Sequence, residues 1–193
     1  FISPFTLAGA MAPVTIAGAV TQQNAEGLAA VALLQQVREG APCVYGAFTS
    51  NVDMKPGAPA FGTPEYGRAM QMSGQMARRY GLPWRASNAN ACNAPDAQAI
   101  WESVFSLQGS CSGHANMIYH AAGWMEGGLS ASFEKFVIDC EVLQQIIYTN
   151  RPVPISEDDL AVEAIGAVGP FGHFFGAEHT KERFRDAFYA PLM

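Results

Sequence analysis

The segment Tyr119-His120-Ala121-Ala122-Gly123-Trp124-Met125-Glu126-Gly127-Gly128 sets an imidazole, an indole and a carboxylate in a glycine-rich turn. It follows a short apolar run that reads as a buried strand. Loops at the C-terminal ends of parallel strands are where α/β folds assemble ligand sites. Two chemistries suit these residue types. His120 and Glu126 form a general acid–base pair, or the Trp124 face and the Glu126 carboxylate together attract a cation. The bland alternative is that Trp124 packs and Glu126 is a solvated loop charge.

Other strand ends supply companions. Tyr45, Phe48, Asn51 and Asp53 follow one expected strand, and Asn88, Asn90 and Asn93 follow the next. Several aromatics beside one or two carboxylates make a pocket for a quaternary ammonium, which has no N–H to donate. Tyr45 and Phe48 serve equally as packing residues. The asparagines are uncharged donors and acceptors, suited to a carboxylate or amide ligand or to turn duty. His173 and His179 lie six apart with no acid or Cys at ligand spacing, so no metal site is expected. There is no G-x-S-x-G elbow, and neither Cys92 nor Cys111 has an adjacent His.

The elements that must position these groups alternate. Residues 1–8 read as a strand, 16–37 as a helix, Cys43–Phe48 as a strand, then a long loop through Thr63. Thr63-Pro64-Glu65 opens a helix as N-cap, N1 proline and first-turn acid, and the helix stops near Tyr80. Trp84–Asn88 is a strand, Pro95-Asp96 opens a helix, residues 116–122 form a strand and 132–148 a helix. Arg151-Pro152-Val153-Pro154 is a linker. Ser156-Glu157-Asp158-Asp159 resembles a capping box for a helix ending near Gly169, and residues 179–188 form an amphipathic helix. The expected fold is therefore α/β, part of a (β/α)8 barrel. About four βα units occupy residues 1–150, and a helical extension packed on the barrel occupies 151–193. A whole barrel needs about 250 residues. A half barrel leaves two sheet edges open and predicts pairing with a second copy, a homo-oligomer.

Charged residues make up 15 % of the 193, against roughly 25 % in a typical soluble domain. The net charge of −6 and the scattered 11 basic residues exclude a phosphate-neutralising nucleic-acid surface. Residues 1–20 carry no charge, but Pro4 and Pro13 break them and no cleavable-signal layout is present. Four dispersed cysteines without C-x-x-C fit free thiols in a reducing, cytoplasmic protein. No G-x-G-x-x-G or P-loop is present, which disfavours a dinucleotide sheet. The start at Phe1, already core-like, suggests a fragment or trimmed product.

The chain also resembles the trimethylamine:corrinoid methyltransferase superfamily. The likeness rests on Phe5-Thr6-Leu7-Ala8-Gly9-Ala10-Met11-Ala12-Pro13-Val14-Thr15, Gln23-Asn24-Ala25-Glu26, Gly62-Thr63-Pro64-Glu65, Tyr80-Gly81-Leu82-Pro83, Pro95-Asp96-Ala97-Gln98, Gly123–Gly128 and Gly169-Pro170-Phe171-Gly172-His173-Phe174-Phe175-Gly176. These run collinearly over nearly the whole chain and match the middle and C-terminal part of longer members. The resemblance implies a TIM barrel that passes a methyl group from a methylated amine to the Co(I) of a corrinoid. That corrinoid is carried by a partner protein, not bound directly. The trimethylamine branch carries pyrrolysine where this chain has about Ala89. The resemblance therefore points to the branch without pyrrolysine and to quaternary amines such as glycine betaine. On this reading Trp124, Tyr45 and Phe48 line the ammonium pocket and Glu126 gives it negative charge. His120 and Asn88 hold the substrate's other end, with Asn90 and His173 counted in the binding set. The rivals are a barrel lyase or aldolase using His120 and Glu126, and a non-catalytic quaternary-amine-binding protein.

Overall fold

The computed structural model describes residues 1–192, in two compact units, the first being Phe1–Leu143 and the second starting at Gln144. In the first unit four extended segments lie side by side in sequence order. Ile2 bridges Tyr45, and β1 (Leu7–Ala8) pairs in parallel with β3 (Ser50–Val52). Next, β2 (Tyr45–Gly46) pairs in parallel with β5 (Trp84–Ser87), and β5 in parallel with β6 (Met117–Tyr119). Helices α1 (Ile16–Val37), α2 (Pro64–Arg79) and α3 (Ala97–Ser112) connect them, and α4 (Phe133–Thr149) follows. The mixed α/β class is as expected, but no closed barrel forms among the described residues.

The expected helix starts hold for physical reasons. Thr63 Oγ1 accepts the Tyr66 N–H at 3.3 Å with Pro64 in the first turn, and Asp96 accepts the Gln98 N–H at 2.9 Å. Each satisfies an N–H that no preceding turn can reach. Two hairpins were not anticipated. The stretch expected as loop before Thr63 contains β3 paired antiparallel with β4 (Pro59–Ala60). The turn after β6 contains β7 (Trp124–Met125) paired with β8 (Ser130–Ala131) around a 3-10 turn at Glu126–Gly128.

The core lies between the parallel strands and the helices, with Trp84, Tyr66, Met70 and Tyr45 essentially inaccessible. Helix α2 sits close to the end of α3. A Cβ on Gly74 would fall 2.1 Å from the Gly113 carbonyl oxygen and 2.9 Å from the Trp84 ring. Only a hydrogen fits there.

In the second unit the Ser156–Asp159 capping box is formed, but the helix it opens is short. Ala161 takes φ +51° and divides the expected helix into α5 (Glu157–Leu160) and α6 (Val162–Val168). Helix α7 covers Glu178–Arg183, shorter than the 179–188 its pattern predicts, and Arg183 pairs with Asp158. Among the described residues no helix is long and apolar enough to cross a membrane.

Candidate functional site

Side chains alternate across a strand with a period of two, and that alternation sorts the first unit's sheet into two faces. Registered pairs share a face. Tyr45 with Trp84, and Ala86 with Ile118, fall on the helix side; Gly46 with Arg85, and Ser87 with Tyr119, fall on the other. The second face opens into a cavity of about 360 Å³. Phe1, Ser3 and Phe5 from the first extended segment line it, with Phe48 after β2, Arg85 on β5, Tyr119 on β6, and His120, Trp124 and Gly127 from the following loop.

The aromatic wall is built from stacked and edge-on rings. His120, held at φ +54°, stacks on Trp124 with ring centroids 5.0 Å apart and 27° between planes. Phe48 meets both edge-on at 5.9 and 6.1 Å, and the buried Phe61 backs Phe48 and Trp124 at 5.2 and 5.8 Å. Such geometry sets the negative ring faces against positive edges. Burial, then the charge of Arg85, push the His120 imidazole below its ordinary value, so it is neutral at pH 7. Arg85 lies 4.4 Å from the Tyr119 ring centroid and 5.5 Å from that of Phe48. It is 6 % exposed and carries the cavity's permanent charge.

Of the residues singled out from sequence, Trp124, Phe48 and His120 meet at this cavity. Tyr45 does not: strand parity turns it to the helix side, where its hydroxyl bonds Asn24 and Gln23, both at 3.2 Å. Asn88 and Asn90 are wholly buried, both donate to Ser103 of α3 at 3.2 Å, and neither lines the cavity. Asn51 accepts from Thr63, Asp53 caps a turn at Lys55, and Asn93 is exposed. Glu126 is exposed outside the lining, with φ +50° and its N–H donated to the Cys92 carbonyl at 3.0 Å. His173 belongs to the second unit, exposed and near Phe175. The Cys92 thiol is pushed up to about 11 by burial and by Glu102, which makes it a poor nucleophile.

What the asparagines do instead is hold the site's loops. Lys135 and Asp139, one helical turn apart on α4, form a 2.6 Å ion pair with no solvent access. Lys135 also donates to Ser103 Oγ at 2.9 Å and Asn90 Oδ1 at 3.3 Å, and Ser103 donates to Asp139 at 2.6 Å. Asn88 donates to the Ala121 carbonyl at 3.0 Å, and the Gly123 N–H reaches Asp139 at 2.8 Å. Glu102 receives the N–H groups of Ala91 and Cys92 at 2.7 and 2.8 Å. The Gly127 N–H reaches the Asn90 carbonyl at 2.9 Å. The loop after β5 is thereby tied to the loop that bears Trp124. Sequence reasoning missed Arg85, Glu102, Ser103, Lys135 and Asp139. Two signals were present: a cation inside the strand Trp84–Ser87, and opposite charges four apart on α4.

Known proteins are similar to this chain over nearly all of its length. A family model described as trimethylamine methyltransferase (MTTB) matches residues 1–193. A glycine betaine methyltransferase of Desulfitobacterium hafniense (strain Y51) is 34 % identical over 193 residues, all of this chain and 40 % of that protein. A trimethylamine methyltransferase of Methanosarcina barkeri (strain Fusaro / DSM 804) is 33 % identical over 177 residues, 91 % of the chain and 36 % of its own length. One of D. hafniense (strain DSM 10664 / DCB-2) is 34 % identical over 190 residues, covering 97 % and 38 %. The chain thus spans about two fifths of the length of the relatives it matches. With a model match over every residue, the chain belongs to the trimethylamine methyltransferase (MTTB) family.

Proposed function

We propose that this protein takes a methyl group from a quaternary or tertiary methylated amine of the glycine betaine kind and delivers it to a corrinoid carried by a separate partner protein. The observation that carries this reading is the aromatic cavity of Trp124, His120 and Phe48 in a chain of this family. A quaternary ammonium offers no N–H, so recognition falls to aromatic faces. The neutral His120 joins the wall as a ring instead of adding a second cation. Support for a quaternary amine over trimethylamine comes from the relative named for glycine betaine and from Ala89, buried where pyrrolysine would stand by the resemblance.

When present, the corrinoid supplies Co(I), the nucleophile that accepts the methyl group. The residues of this chain orient the ammonium and exclude water. From a quaternary ammonium the amine left behind is neutral, so that step needs no proton donor; a tertiary amine would have to react as its N-protonated form to leave as a neutral amine. We read the first unit as successive units of a (β/α)8 barrel. In favour are the sequential parallel order and the meeting of Phe48, from the end of β2, with His120 and Trp124, from the end of β6.

The lyase reading needs His120 and Glu126 at one substrate, and Glu126 lies outside the cavity lining. The test is demethylation of glycine betaine by the full-length protein with its reduced corrinoid partner. Methyl transfer with no bell-shaped pH profile is the expected result. Tight binding without transfer overturns the catalytic reading in favour of a binding protein. Failure to bind any methylated amine overturns it altogether.

A further inference from the structure

Two of the rings that line the cavity are each followed by a threonine: Phe5-Thr6 just before β1, and Phe48-Thr49 between β2 and β3. The parallel register of β1 and β3 sets Leu7 beside Ser50. Carried back by one residue it sets Thr6 beside Thr49, and by two, Phe5 beside Phe48. Both pairs make contact: the threonine hydroxyls hydrogen-bond one another, and the phenyl centroids lie 5.4 Å apart. Neighbours in an extended chain point to opposite faces. The phenyl groups therefore line the cavity while both threonines are buried behind it. There they meet Gln23 of α1, itself wholly buried. The Thr49 hydroxyl donates to Gln23 Oε1, which leaves Thr6 as the donor to Thr49. Gln23 Nε2 donates to Ser73 Oγ of α2 at 3.0 Å and to the Tyr45 hydroxyl at 3.2 Å. Tyr45 donates onward to Asn24, and Ser73 to the Ala69 carbonyl. Both hydrogens of the Gln23 amide and its oxygen are thus met, as a buried amide requires. No hydroxyl in the chain can turn without breaking a neighbour's bond.

We propose that Gln23 is a positioning residue for the cavity: through Thr49 and Thr6 it fixes the backbone at Phe48 and Phe5, and with it the two rings they contribute to the wall. A threonine held by its hydroxyl fixes the chain that carries it, and the ring one residue earlier follows. Phe48 passes the setting on, since its ring meets those of His120 and Trp124 edge-on at 5.9 and 6.1 Å. Ser73 and Tyr45 form the opposite arm of the same hub; they tie Gln23 to α2 and β2, and neither lines the cavity. A cation bound by ring faces responds to small displacements of those faces, because the attraction needs the charge within about 6 Å of the centroid. This inference rests on the methylated-amine reading above and adds the device that holds its aromatic wall in place.

The experiment is isothermal titration of the full-length protein with glycine betaine, with denaturant unfolding run on the same variants. Thr49→Val keeps the side chain's shape and removes the bond to Gln23. It is expected to weaken binding by about 3–10-fold, the worth of one hydrogen bond, while Thr49→Ser, which retains the hydroxyl, stays within about twofold of wild type. Gln23→Met should give a comparable loss, and little more when combined with Thr49→Val, because residues that act through one another are not additive. In a Phe48→Leu background Thr49→Val should cost less than about a further twofold, for the same reason. Ser73→Ala cuts the arm leading away from the cavity; it should lower stability and leave affinity within about twofold of wild type. Where Thr49→Val does not fold, Thr6→Val takes its place, since it removes only the last link; a loss of about 2–5-fold, restored by Thr6→Ser, is expected. Wild-type affinity in Thr49→Val and Gln23→Met, or in the Thr6→Val replacement, overturns the positioning role and leaves the methylated-amine reading standing. An equal loss in Ser73→Ala and Thr49→Val, or a Thr49→Val loss undiminished in the Phe48→Leu background, also overturns it, since Gln23 would then be structural. No binding of glycine betaine by wild type overturns both readings.

Discussion

At the residue scale the site is a matter of ring faces and one titrating imidazole. Trp124 touches His120, Phe48 and Phe61. Trp124→Ala should therefore weaken glycine betaine binding by roughly 10-fold or more, the value of a desolvated cation–ring contact. Calorimetric titration checks this. His120 carries a pH signature. Its imidazole is held below its ordinary value of 6.5 by burial first and by Arg85 second. Between the folded and unfolded values the unfolded chain binds more protons, so stability rises with pH and is lost as pH falls below about 6.5. The melting temperature should drop from pH 7 to pH 5.5, and the drop should be smaller in His120→Asn. An equal drop in both proteins would remove His120 as its source. The signals for Trp124, His120 and Phe48 were legible because large aromatic and imidazole groups in a glycine turn are unusual. Arg85 carried one signal, a cation inside the strand Trp84–Ser87, but that signal gives no face, and a lone arginine in a strand usually faces water.

Elements decide which of those groups meet. The pair Lys135–Asp139 on α4 is wholly buried, and through Gly123 and Ser103 it fixes two loops at once. Asp139→Ala strands a buried ammonium and should destabilise the protein by about 3–5 kcal/mol. The double change Lys135→Met with Asp139→Leu should lie closer to wild type than Asp139→Ala does, because no charge remains to be desolvated. Thermal or denaturant unfolding of the three proteins measures this. If the double variant is the least stable, the network contributes through packing and not through compensated charge. The packing of α2 gives a second prediction at this scale. Gly74→Ala forces a methyl group into the Gly113 carbonyl and should be destabilising by about 1–3 kcal/mol. Helix extents were legible from caps at Thr63 and Asp96, because a cap is a local hydrogen bond. The hairpin β3–β4 was not, since its partners lie on either side of a polar loop.

For the molecule as a whole, two units of different character follow one another. The first is built on parallel strands with a polar network beneath its cavity; the second is short helices with exposed apolar residues such as Phe175 and Phe188. Residues 151–156 are exposed and carry no helix or strand. Limited proteolysis of the native protein should first nick this stretch, as exposed irregular backbone opens at little cost. First cleavage within α2 or α3 would contradict that. The irregular backbone at Arg151–Pro154 was legible from its alternating prolines, but the two compact units divide at Leu143 and Gln144, inside α4. The division of the tail helix at Ala161 was not, because alanine gives no sequence cue for φ +51°.

The sequence by itself determined the alternation of the four parallel segments with helices, the caps at Thr63, Asp96 and Ser156, the family, and the aromatic turn from His120 to Trp124. All of these are written in local residue types or in collinear motifs. Only the tertiary structure decided which face each strand residue occupies. Strand parity sends Tyr45 to the helix side and brings Arg85 and Tyr119 to the cavity, while Asn88 and Asn90, beyond the end of β5, are drawn to Ser103 of α3. The period of two fixes alternation but not its phase. The phase is set where the strands pair and the helices pack, through contacts between residues tens of positions apart.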